Sequence, residues 1–110
     1  MVTYKDVVKA GLALPDVVES TSYGTPALKL KKELMVRLRE DGETLVVKMP
    51  FDRRAEMIEG DPDTYFITDH YAGAEWVLVR LDRLAPEALP DLLRTAHREA
   101  AVRKKPNLLS

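Results

Sequence analysis

Between Leu34 and Met49, two runs of strand-forming residues flank a single Asp-Gly pair. Leu34-Met35-Val36-Arg37-Leu38-Arg39 alternates with period two, Glu40-Asp41-Gly42-Glu43 supplies turn chemistry, and Thr44 to Met49 is again strand-like. This pattern predicts an antiparallel β-hairpin. Successive strand side chains point to opposite faces, so Val36 and Leu38 go to a core face, and Arg37 and Arg39 to the other. Leu45 and Val47 join the core, although Val46 is also apolar and leaves the hairpin register open.

The remaining elements arrange themselves around this hairpin. Thr3 is placed to cap a first helix with Tyr4, Val7, Val8, Gly11 and Leu12 at helical spacing, and Pro15 ends it. Val17 to Tyr23 and Ala27 to Lys31 read as strands around Gly24-Thr25-Pro26. After Pro50, Asp52 is expected to cap a short helix over 53–59 that turns Ala55, Met57 and Ile58 to the core. Thr64 to Ile67 and Trp76 to Leu81 are two further strands, with Val77 and Val79 in the core. A last helix starts near Pro86, with Pro90 allowing a later start, and carries an apolar stripe through Leu89, Leu92, Leu93, Ala96, Ala100 and Ala101. The tail from Arg103 to Asn107 is expected to fray.

The predicted order is α-β-β-β-β-α-β-β-α. Its short connections favour antiparallel neighbours over βαβ crossovers, so the fold class is α+β, a single antiparallel sheet with helices on one face. With 110 residues, 45% of them apolar, the chain is expected to form one domain, residues 1–110, around one core. Seventeen Lys and Arg nearly cancel eighteen Asp and Glu, so net charge alone gives no reason to expect a nucleic acid or an anionic membrane. The absence of cysteine removes disulfides, thiolate metal sites and cysteine nucleophiles. Met1 to Leu14 lacks the continuous apolar stretch of a signal peptide, and no run suits a membrane-spanning helix; a soluble, cytoplasmic protein is expected.

Several stretches match a known family in order and spacing. They are Leu12-Ala-Leu-Pro-Asp, Ser22-Tyr-Gly-Thr-Pro-Ala-Leu-Lys, the hairpin from Leu34 to Lys48, Asp61-Pro-Asp-Thr-Tyr-Phe-Ile-Thr-Asp-His-Tyr, and Trp76-Val-Leu-Val-Arg-Leu. Over nearly its full length the chain resembles the MmcQ/YjbR family. The resemblance implies a CyaY-like, that is frataxin-like, fold; of activity it implies little beyond the label of DNA-binding protein that members often carry. The last helix departs from the pattern, with Ala96-His97-Arg98 where members usually carry Ala-Trp-Arg, and Ala101-Val102 where they carry Ala-Pro. The acidic ridge by which frataxins are associated with iron is not matched. The first helix offers Asp6 alone, with Asp16 and Glu19 beyond it, so iron binding is not carried over.

Two sets of residues are candidates for function. Lys29, Lys31, Arg37, Arg39, Lys48 and Arg80 fall on the polar side of the strands, with Trp76 in phase with Arg80 as a stacking platform for nucleic acid. The same residues suit, more simply, the solvated face and protected edges of an antiparallel sheet. The second set is Tyr23, Thr25, His70 and Tyr71, loop residues able to line a pocket with Arg37 or Arg39. No Ser-His-Asp order, paired carboxylate motif, metal-ligand spacing or phosphate loop accompanies His70, which reads chiefly as a structural hydrogen-bonding residue. His97 is expected against the core or solvent. No cofactor, no metal and no catalytic residue is implied.

The leading expectation is a non-enzymatic binding module, with weak, nonspecific DNA binding through the basic sheet face as its most concrete form. A small-molecule-binding protein or enzyme with a pocket near Tyr23, His70 and Trp76, and a protein-interaction domain, are the alternatives.

Overall fold

The structure is a computed structural model, in which residues 1–103 are described. The basic tail beyond Arg103, with Lys104, Lys105, Pro106 and Asn107, lies outside the described residues. The elements are α1 (Tyr4–Leu12), β1 (Val17–Ser22), β2 (Thr25–Leu30), β3 (Glu33–Leu38), β4 (Thr44–Lys48), α2 (Phe51–Gly60), β5 (Tyr65–Phe66), β6 (Trp76–Arg80) and α3 (Leu89–Arg103), with 3₁₀ turns at Asp69–Tyr71 and Pro86–Ala88. The order is that expected from the sequence. The six strands form one antiparallel sheet in the order β1-β2-β3-β4-β6-β5.

Directly paired residues of an antiparallel ladder share a face. Leu28, Val36, Val47 and Val77 are one such row, and Leu38, Leu45 and Val79 another. These rows meet α3, which lies across β2, β3 and β4, and α1, which packs on α3 and β1. Leu92, Leu93, Ala96 and Ala100 supply the helical side of this core. At Gly11 a Cβ would collide with Leu28 Cδ1, so glycine is what lets α1 approach β2 so closely. The N-terminus of α1 closes as a reciprocal capping box: Asp6 N–H donates to Thr3 Oγ1 at 3.3 Å and Thr3 N–H donates to the Asp6 carboxylate at 2.9 Å.

Four local expectations are corrected. Lys31 and Arg39 lie outside the strands, Lys31 in the β2–β3 turn with φ 57° and Arg39 beyond the end of β3. Asp52 does not cap α2; Pro50 occupies the N-cap position without a side-chain bond, and Asp52 stands within the first turn. Ala55 is exposed while Arg54 is buried, because Arg54, Met57 and Ile58 share the inward stripe of the helix. Finally, the β2–β3 register shifts: Leu28 pairs with Val36 but Lys29 with Leu34, leaving Met35 as the extra residue of a bulge. Met35 consequently enters the core and Leu34 is carried to the opposite face, a switch that strict alternation does not anticipate.

Candidate functional site

The second face of the sheet carries the row Ala27, Arg37, Val46, Leu78 and Phe66, running across five strands from β2 to β5. The main helices α1 and α3 pack on the other face, yet Ala27, Val46 and Leu78 are fully buried. The segment between β5 and β6 folds back toward it, and long side chains from the strands lie along it in cation–aromatic pairs. Arg37 Cζ lies 5.2 Å from the centroid of the Tyr23 ring, Lys48 Nζ 4.4 Å from that of Trp76, and Arg80 Cζ 4.0 Å from that of Phe66. Each pair hides a charged stem against a ring face.

Arg37, at 8% exposure, is nearly as enclosed as Lys48. It donates from Nη1 to Thr25 Oγ1 at 3.1 Å, and Thr25 in turn donates to the Ser22 carbonyl at 2.8 Å. Its Nη2 reaches the Tyr71 hydroxyl at 3.5 Å, the outer limit of a hydrogen bond. Glu40 Oε2 stands 3.7 Å from Nη1, close enough for charge attraction but not for a hydrogen bond.

Tyr23 and Gly24 form the two-residue β1–β2 loop, with φ of 54° and 78°. That sign pattern belongs to a type I′ turn, which matches the twist of a hairpin but favours Gly, Asn or Asp. Tyrosine there is strained, and the residue is 85% exposed, so neither intrinsic preference nor burial explains it. What its position does is set the ring against Arg37.

On the opposite rim, the 3₁₀ turn at Asp69–Tyr71 presents His70 and Tyr71, whose rings meet edge to face with centroids 4.9 Å apart. This irregular segment is held from behind by Arg54 of α2. Arg54 Nη1 donates to the carbonyls of Tyr71 (3.0 Å), Ala74 (2.7 Å) and Trp76 (3.0 Å), and Nη2 to that of Ala72 (3.0 Å). Unpaired buried carbonyls are costly, and a planar fork of five donors is suited to gathering several of them.

Between these walls lies a cavity of about 420 Å³, with Tyr23, His70, Tyr71 and Trp76 as its aromatic lining, Leu34, Val46 and Ala74 as its apolar lining, and Arg37 and Glu40 as its charged groups. The structure thus brings Tyr23, His70 and Tyr71 together with Arg37 and Trp76, while Thr25 stands behind Arg37 as its hydrogen-bond acceptor. His70 is exposed, and among the described residues no hydrogen bond holds its ring, contrary to a structural hydrogen-bonding role. Glu40, Leu34, Ala74 and the supporting Arg54 were not among the sequence candidates. Of these only Arg54 left a signal, in its i, i+3, i+4 spacing with Met57 and Ile58.

The six basic residues do not make one solvated patch. Arg37 and Lys48 are buried, at 8% and 6% exposure; Lys29, Arg39 and Arg80 are half-buried; Lys31 alone is exposed. Trp76 is stacked by Lys48, its direct partner across β4 and β6, and not by Arg80. Arg80 instead lies on Phe66 and donates to the Asp63 carbonyl at 3.2 Å. His97, where the family usually has Trp, bonds through Nε2 to the Pro15 carbonyl at 2.9 Å and ties α3 to the α1–β1 connection.

A second concavity, about 370 Å³, lies between α2 and α3, but Asp52, Arg53, Glu56, Asp91 and Arg98 make its walls almost wholly charged. Arg53 and Asp91 pair across it at 3.1 Å, so its charges answer one another instead of converging on a ligand. Among the described residues no three His, Asp or Glu side chains cluster as metal ligands, and no helix is long and apolar enough to cross a membrane.

The fold and cavity define an α+β sheet protein with an arginine-and-aromatic pocket on the face away from its main helices. The YjbR family model matches residues 12–99, and the chain belongs to the YjbR family. Its fold is similar to the crystal structure of Deinococcus radiodurans protein DR2400, domain DUF419, with a TM-score of 0.80 and 23% identity over 97% of this chain and 84% of that one. No curated protein matches.

Proposed function

We propose that this YjbR-family protein is a non-enzymatic binding module whose ligand is a small organic molecule held in the sheet-face cavity. The observation that carries this reading is the convergence of Tyr23, Arg37, Tyr71 and Trp76, from four separate elements, on one concave space of about 420 Å³. Ligand sites are typically concave, mostly apolar and aromatic, with a few placed polar groups. The cavity has that make-up, and its irregular wall is fixed by Arg54 rather than left to move. Among the described residues its lining offers His70, Glu40 and the phenols of Tyr23 and Tyr71 but no Ser, Thr, Cys or Lys and no second carboxylate, which supports binding over catalysis.

Nonspecific DNA binding through the basic face is the second reading, favoured by the exposed Tyr23 ring and by Lys29 and Lys31. The burial of Arg37 and Lys48 leaves fewer cations to meet phosphates than the strand pattern suggests. A thermal-shift screen of small metabolites separates the readings. Ligands that raise the melting temperature of the native chain but not of Ala74→Leu, which fills the cavity, support the pocket. Stabilisation by oligonucleotides alone, fading steeply with salt, supports DNA and opposes the pocket.

A further inference from the structure

We infer that the cavity selects a planar aromatic anion, with its ring on the aromatic lining and its carboxylate or phosphate on Arg37 in the place now shadowed by Glu40. This rests on the pocket reading above and names the ligand class of that site.

The state of Arg37 is the first support. Two of its five N–H donors are directed to Thr25 and, at the limit of range, Tyr71, and Arg37 lines the cavity. Glu40 approaches it to 3.7 Å without a hydrogen bond, and its side chain is 67% exposed. A carboxylate is therefore already drawn to this cation but does not dock on it. A ligand anion that enters the cavity can make the short bidentate contact that Glu40, held at the hairpin, does not.

The charge already present on the rings is the second support. Tyr23 and Trp76 each carry an intramolecular cation on a face, Arg37 and Lys48 respectively. A cationic ligand seeking an aromatic cage would find a face of each ring already taken by a cation. The cavity's volume, toward the lower end for ligand sites, suits a molecule of one or two rings.

Trp76 is the single tryptophan of the chain and lines the cavity, so its fluorescence reports on this site alone. The probes are benzoate, phenyl phosphate, neutral benzamide and cationic phenyltrimethylammonium, each titrated into the whole protein to millimolar concentration. Benzoate or phenyl phosphate should change the emission saturably and bind at least about tenfold more tightly than benzamide, as a charge-assisted contact requires. The tighter of the two names the anionic group. Glu40→Gln, at an exposed position that leaves the fold intact, should tighten the anions about two- to fivefold and leave benzamide unchanged. Benzamide binding as well as benzoate, phenyltrimethylammonium binding best, or Glu40→Gln weakening the anions would overturn the anion assignment while leaving the pocket standing. No response to any probe would overturn both.

Discussion

The guanidinium of Arg54 and the carbonyl oxygen of Ala74 lie 2.7 Å apart, joining the interior of α2 to a segment with almost no regular structure. Two more carbonyls of the same segment, of Tyr71 and Ala72, and that of Trp76 at the start of β6 converge on that guanidinium, and the Phe51 ring lies 4.9 Å from its Cζ. Arg54→Met should cost about 2–4 kcal/mol, since it leaves several part-buried carbonyls without a donor. Arg54→Lys should recover only part, because an ammonium cannot reproduce the planar fork. Denaturant unfolding gives the loss. Trp76 emission in Arg54→Met should turn solvent-like before the main transition, because the segment held by Arg54 runs into Trp76.

Tyr23 should separate stability from binding. Its left-handed backbone costs about 1–2 kcal/mol relative to glycine, while an exposed stack on Arg37 returns about 0.5–1 kcal/mol. Tyr23→Asn should accordingly leave the melting temperature unchanged or slightly raised. The same variant should weaken any cavity ligand several-fold, since one aromatic wall is gone. Calorimetry on both properties checks the pair, and a large loss of stability would show that the ring serves the fold instead.

Stability should respond to pH at both extremes through identifiable groups. The Tyr4 hydroxyl is buried with no hydrogen-bond partner among the described residues, and desolvation, then the Glu19 charge, push its pKa up to about 12. The unfolded phenol ionises near 10, so the neutral form favours folding below that pH, and stability falls as pH rises toward the folded value. Tyr4→Phe should remove this part of the alkaline loss and gain up to about 1 kcal/mol at neutral pH by deleting an unsatisfied hydroxyl. At the acid end, desolvation would raise the Asp41 carboxyl. Donors from Glu43 N–H, the Thr44 hydroxyl and Thr44 N–H, helped by Arg39, nevertheless hold it below the ordinary carboxylate range. Asp41 thus stabilises the hairpin above its unfolded pKa, and that contribution disappears as pH falls through the depressed folded value. Asp41→Asn should flatten the acid limb of a stability–pH curve.

Much of the fold was legible because its signals are local. Asp41-Gly42 specifies a turn within four residues, with Gly42 at φ 72°, and Thr3 with Asp6 marks a helix start within one turn. The Met35 bulge was not legible, because the register on either side of it is set by the neighbouring strand and the helices. The site divides in the same way. Tyr23, His70 and Tyr71 stand out as aromatic residues in loop contexts. A lysine or arginine in a strand pattern reads as solvated, and only distant partners make Arg37 and Lys48 burial-compatible: Tyr71 lies 34 positions beyond Arg37, and Trp76 28 beyond Lys48. The spacing of Arg54 with Met57 and Ile58 marks it as inward-facing, but its role stayed hidden for a related reason, since its acceptors are backbone carbonyls, which no sequence pattern displays.

The most direct test of the cavity as the functional site is an amide chemical-shift titration of the isotope-labelled protein, run separately with benzoate and with a short single-stranded oligonucleotide. Benzoate should move the amides of Tyr23, Leu34, Arg37 and the stretch from His70 to Trp76, leaving α1 and α3 still. Shifts gathered instead along Asp52, Arg53, Asp91 and Arg98, or appearing only with the oligonucleotide at Lys29, Lys31 and Arg39, would contradict it.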